Sequence, residues 1–237
     1  MAETVDFASS DGEAWRAALA AYDRRLAFLD KPDLLEVDSF YRHDLPLLLR
    51  RRDPDPFIAK SELVQLLQWK LSRGKWRPRL MDFVKSLDDK VVESASRKAF
   101  AVLPDLSKAI TELTVLKGIG PATASAVLAA YAPDVAPFMS DEVGLFFLYI
   151  VASLGEMIRF LILQALMDVQ AMVAALGNAK EYTLKQYLAF AEKLQAKAKE
   201  LSVGGESLTP SDVERALWSS AIASKPQKAP ASGKRKR

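Results

Sequence analysis

Two glycines and a proline stand close together in "LKGIGPATASAVL", at Gly118, Gly120 and Pro121, and a Ser-Asp-Glu follows at 140–142. Gly118 and Gly120 permit a tight reversal and a close backbone approach, and Pro121 suits the first turn of a following helix. At such a helix start the N–H groups lack intrahelical acceptors, and the positive end of the helix dipole faces outward. That geometry holds a phosphate without any basic side chain, so 117–123 (Lys117, Gly118, Ile119, Gly120, Pro121, Ala122 and Thr123) is a candidate anion-binding turn. A plain interhelical turn would use the same glycines. The carboxylate of Asp141 is the one candidate for acid, base or electrostatic work; Ser140 and Asp141 equally suit helix N-caps.

A second candidate surface is "WKLSRGKWRPRL", which sets Lys70, Arg73, Lys75, Arg77 and Arg79 around Trp69 and Trp76 with no acid among them. Cations there neutralise phosphates, and an exposed indole stacks on an unpaired base. The alternative is two core tryptophans whose basic neighbours extend to solvent. Arg50, Arg51 and Arg52 are less specific, and His43 in "FYRHDLP" has no visible partner.

The elements that must position these residues are helices. Apolar residues recur at three- and four-residue spacing and no run alternates as a strand would, so the class is all-α. The patterns predict helices over 11–29, 61–73, 77–87, 89–102, 105–116, 121–132, 182–202 and 210–222. Ser61 is the expected cap of the second and Gly74 its stop, while prolines at 54 and 56 make "RRRDPDP" a loop. A single domain over 1–222 accounts for the length of 237 residues.

With no cysteine and one histidine, the sequence offers neither disulfides, thiolate metal sites and cysteine nucleophiles nor a histidine cluster for zinc. The N-terminal residues do not read as a secretory signal. Formal net charge is +3, but "KPQKAPASGKRKR" carries six of the basic residues and no acid, which leaves the body at about −3. Residues 223–237 therefore read as a disordered basic tail whose "GKRKR" suits nuclear import or contact with nucleic acid.

Residues 143–164, "VGLFFLYIVASLGEMIRFLILQ", do not match their surroundings. The apolar run before Glu156 and Arg159 is too short to span a bilayer, so no membrane partner is expected. A buried core helix is one reading. A retained intron is another, because valine codons begin with GT and one glutamine codon is CAG. Excision would join Glu142 to "ALMDVQAMVAAL", giving a capped amphipathic helix.

Taken together, "LKGIGPATASAVL" and the aspartate that follows after "APDVAPFMSD" resemble the helix-hairpin-helix/Gly-Pro-Asp superfamily of DNA glycosylases. The resemblance covers roughly 105–145. It implies a helical fold in which the hairpin grips DNA backbone beside a flipped nucleotide, and in which Asp141 stabilises the cationic sugar or positions water. Ala122 stands where bifunctional members carry a nucleophilic lysine, and the iron-sulfur branch needs cysteines, so a monofunctional hydrolase is implied. No cofactor is expected beyond a monovalent cation that family hairpins can hold between carbonyls and phosphate. The implied partner is DNA, bound without sequence preference by a monomer in the nucleus; a non-catalytic DNA-binding or scaffold protein that keeps the hairpin is the rival reading.

Overall fold

The computed structural model describes residues 4–141, 143, 183–202 and 207–224, and among them every regular element is helical, with no strand. In chain order these are α1 (Gly12–Ala20), α2 (Tyr22–Ala27), α3 (Pro32–Ser39), a π turn (Phe40–Asp44), α4 (Leu45–Arg50), α5 (Lys60–Arg73) and α6 (Pro78–Lys85). They continue as α7 (Asp89–Ala101), α8 (Leu106–Thr114), α9 (Pro121–Tyr131), α10 (Leu184–Leu201) and α11 (Pro210–Ala223). The all-α expectation holds for this part of the chain. The apolar segment from 144 onward and the basic tail from 225 lie outside the described residues, and with them the intron reading and the disorder expected of the tail.

Local chemistry sets the helix ends. Asp11, Asp88 and Asp105 each accept main-chain N–H bonds at the starts of α1, α7 and α8. Thr183 with Gln186, and Thr209 with Asp212, close reciprocal capping boxes at α10 and α11. Proline opens α3, α6, α9 and α11, where its missing N–H costs nothing. Two expectations need correction. The stripe over 11–29 is broken at Ala21 into α1 and α2. Helix α5 starts one residue earlier than expected, capped at Ala59, whose N–H donates to Glu62 at 2.8 Å, so Ser61 is not its cap. Gly74 does end α5. Helices α3 and α4 and the π turn between them have no counterpart in the periodicity reading.

Helix α9 runs through the middle of the core. Its residues from Ala122 to Ala130 are all buried, and its alanines let neighbours approach closely. Helices α4, α5, α8 and α10 all pack on it. Around it the core gathers Trp15, Trp69, Trp218, Tyr187 and a run of leucines from α3 to α5, all with negligible exposure. Burial of this apolar surface, at roughly 25 cal/mol per Å² removed from water, is the main force holding the helices together. Among the described residues no helix is long and apolar enough to cross a membrane.

Candidate nucleic-acid interface

Helices α8 and α9 form the hairpin, joined at 115–120. Gly118 has φ of +88°, a conformation L side chains rarely adopt, so glycine is required there. Gly120 is extended (φ −95°, ψ 177°) and caps α9. The turn closes on itself: Ile119 N–H donates to Leu116 O, and both Thr123 and Ala124 donate to Gly120 O, each at 2.9 Å. Those bonds commit two of the expected anion-binding amides, at Ile119 and Thr123, whose side chains are also buried. Pro121 has no N–H to offer. Among the described residues no main-chain carbonyl accepts from the amides of Gly118, Gly120 or Ala122. The surface at Gly120 is exposed, and a Cβ built there meets nothing within 4 Å.

Helix α6 supports this turn from the side. A Cβ on Gly118 would lie 2.9 Å from Phe83 Cβ and 3.4 Å from Leu80 Cδ1. Lys117 Nζ sits 5.0 Å from the centre of the Phe83 ring, so its ammonium rests on an aromatic face beside the turn. Helix α6 emerges directly from the basic loop, where Lys75, Trp76 and Arg77 are exposed, and carries exposed Arg79 in its first turn. The two surfaces distinct in the sequence thus meet through one helix. Phe83, Trp76 and Val115 add exposed apolar area, with Val115 69% accessible and Trp76 55%.

Two members of the expected basic surface behave otherwise. Arg73 is only 3% exposed, and its Nη2 donates to both Glu214 carboxylate oxygens at 3.1 and 3.2 Å. Its guanidinium lies 4.5 Å from the Trp218 ring centre and 5.4 Å from those of Trp69 and Phe138. This arginine is a core cation held by a carboxylate and aromatic faces, which corrects its assignment as a surface contact. Trp69 is buried as well, stacked on Tyr41 at 3.4 Å with planes 10° apart. Lys70 is half-buried.

Asp141 is delivered by the linker 132–140, which is fastened at several points. Ser125 of α9 donates to Ala122 O and accepts from Met139 N–H, both at 3.0 Å. Gln195 of α10 donates to Val135 O, and Ser211 of α11 donates to Ala136 O. Ser140 accepts from Val143 N–H at 3.4 Å, so the capping role belongs to Ser140, and Asp141 begins the helical turn beyond it. The Asp141 side chain reaches the C-terminal end of α5, its Oδ2 lying 3.8 Å from where a Cβ on Gly74 would stand. With Lys70, Gly74, Lys75, Arg77 and Ser140 it lines a narrow cleft of about 10 Å³, room for about one water molecule.

A larger pocket, of about 440 Å³, opens elsewhere, between the π turn, α4, the end of α9 and the start of α11. Arg73 and Phe138 belong to both walls, so the pocket and the Asp141 cleft lie back to back. Its floor holds Tyr22, Tyr41 and Trp69, and burial pushes both phenols far above the usual tyrosine range. Nothing in the sequence flagged this pocket, because its walls come from five separate stretches of chain. Among the described residues no group of histidine, aspartate and glutamate side chains could hold a metal ion.

Comparison with known proteins yields no matching family model, no matching curated protein and no matching solved structure.

Proposed function

We propose that the chain binds DNA through its glycine turn, without sequence preference, and serves DNA repair. The observation that carries the reading is the trio of amides at Gly118, Gly120 and Ala122, which no main-chain carbonyl among the described residues takes up, at a helix start where Gly120 is exposed. A backbone phosphate seated there would lie beside Lys117 and α6, with Lys75, Arg77 and Arg79 placed for neighbouring phosphates. Exposed Trp76 and Phe83 suit stacking on a displaced base or wedging between base steps.

In this reading the chemistry is hydrolysis of a base-sugar bond by a monofunctional glycosylase, with Asp141 as the carboxylate that stabilises the developing sugar cation. Ala122 provides no amine for a covalent intermediate, so water is the nucleophile. The resemblance to helix-hairpin-helix glycosylases carried by Gly118, Gly120 and Asp141 supports this assignment. A monovalent cation bridging turn carbonyls and phosphate fits a turn whose one lysine, Lys117, rests on Phe83. Nuclear residence and a monomeric state belong to the same proposal.

The narrowness of the Asp141 cleft favours a second reading, a non-catalytic DNA-binding or scaffold protein, since a base cannot enter a space for one water. Duplexes carrying a panel of damaged or mispaired bases separate the two. The glycosylase reading predicts base release from at least one of them, lost in Asp141→Asn, with binding that weakens steeply as salt rises. No release from any duplex, by the full chain or by a version without 143–164, together with retained DNA binding, establishes the scaffold.

A further inference from the structure

The 440 Å³ pocket shares Arg73 and Phe138 with the Asp141 cleft but lies at the far end of α9 from the glycine turn. Its lining includes Ala129 and Ala130 at the C-terminal end of α9, ten residues or roughly 15 Å along the helix from Gly120. Its volume falls within the roughly 300–1,000 Å³ of small-ligand sites. One wall is the π turn Phe40–Asp44, in which Leu45 N–H reaches back to Phe40 O. Such turns concentrate at functional sites, because the extra residue re-aims its neighbours. Here the turn carries Tyr41, Arg42 and His43 to the pocket.

The polar groups of the interior are already committed. Tyr22 O–H and Trp69 Nε1–H both donate to Asp38 Oδ1, at 2.8 and 2.7 Å, and Tyr41 O–H donates to Ala126 O at 3.0 Å. Ser211 donates to Ala136 O and Thr209 to Asp212. The interior therefore offers carbon and π surface with few directional donors left. Charge is arranged differently along the walls. Four arginines line the pocket, Arg42, Arg50, Arg73 and Arg215, against two carboxylates, Asp212 and Glu214. Arg42, Arg73 and Arg215 are each paired to an acid. Arg50 is exposed and, among the described residues, makes no ion pair; His43, also on the lining, is exposed too.

We propose that this pocket binds a planar aromatic molecule bearing one phosphate or carboxylate, with the ring against Tyr41 and Phe138 and the anion at Arg50 and His43. The ligand is not DNA, and the site stands independently of the proposed DNA function. Buried aromatic walls take the ring at the cost of desolvating little else. A single anion at the mouth meets Arg50, the lining arginine that makes no ion pair among the described residues, which is where a charge-assisted contact remains available.

Calorimetric titration of the full chain tests this with AMP and 2-naphthoate, each against its uncharged counterpart, adenosine and 2-naphthamide. At least one anion should bind about tenfold or more tightly than its counterpart, the scale of one charge-assisted hydrogen bond. AMP ahead of naphthoate assigns the site to phosphates, and the reverse assigns it to carboxylates. Arg50→Glu, an exposed change that leaves the core intact, should weaken the preferred anion by about tenfold or more, whereas Gly120→Val should leave it unchanged. Three outcomes would overturn the proposal: no binding of either anion at millimolar concentration, uncharged compounds binding equally well, or loss with Gly120→Val while Arg50→Glu binds normally.

Discussion

Gly118 and Phe83 meet so closely that a single added carbon would collide, since a Cβ on Gly118 would stand 2.9 Å from Phe83 Cβ. The colliding atom is next to the backbone of α6 and cannot swing aside. Gly118 also holds φ of +88°. Gly120, two residues on, is extended and faces open space.

The two glycines should therefore respond in opposite ways to alanine. Gly118→Ala should cost about 1–3 kcal/mol through backbone strain, with the displacement of α6 added. Gly120→Ala should be neutral or stabilising by up to about 1 kcal/mol, because it reduces the freedom of the unfolded chain without strain. Urea unfolding of both variants checks this; equal losses at the two positions would contradict the geometry.

Arg73 and Glu214 form a buried pair with both side chains 2% exposed. Removing Glu214 takes from the buried Arg73 the carboxylate it donates to at 3.1 and 3.2 Å. Glu214→Leu should destabilise by about 3–5 kcal/mol, and adding Arg73→Met should recover much of that loss, as replacement of whole buried pairs by apolar residues does. If Arg73 served mainly as a phosphate contact, Glu214→Leu would change stability little. The double-mutant cycle reads the coupling directly.

The Tyr187 hydroxyl is buried and, among the described residues, has no hydrogen-bond partner. Burial alone raises its phenol above the usual tyrosine range. Tyr187→Phe should consequently leave stability unchanged or raise it by up to about 1 kcal/mol, since no bond is lost and a desolvated O–H is removed. Thermal unfolding is the check, and a loss above 1 kcal/mol would mean the hydroxyl is bonded. Ionisation of this phenol is disfavoured in the fold. With its folded pKa raised, the neutral form's contribution is fully present below the unfolded value of 10.0 and is lost only as pH rises above it.

The hairpin was the most legible part of the chain. Helices α8 and α9 and the turn between them follow from local chemistry alone: apolar spacing in "LSKAITEL", glycines that reverse the chain, and a proline that starts the next helix. Helices α5, α6, α7, α10 and α11 were legible as well, because their stripes are local too, although the cap of α5 is Ala59 with Glu62 rather than Ser61. The segment 32–50 was not. Its leucines are dense and interrupted by Pro46, and its π turn carries Tyr41 onto Trp69, a partner outside that segment. Long-range contacts also explain what was misjudged at the site. Arg73 looks like its basic neighbours until Glu214, 141 residues on, is brought beside it. Ser125 looks like one more small residue of α9, yet it holds Met139 and so the linker that carries Asp141. Joining Asp141 to the basic loop, and that loop to the hairpin through Phe83, required the packing of α6.

The central claim is that the amides around Gly120 hold a backbone phosphate, and Gly120→Val tests it most directly because its side chain fills the space the phosphate would occupy while meeting no protein atom at Cβ. The measurement is affinity for a duplex containing an abasic-site analogue, by fluorescence anisotropy across a range of salt. We predict binding several-fold weaker than that of the unmodified chain, with unfolding stability retained and with the steep salt dependence of phosphate contacts in both proteins. Equal affinity of the two proteins, or affinity indifferent to salt, would contradict it.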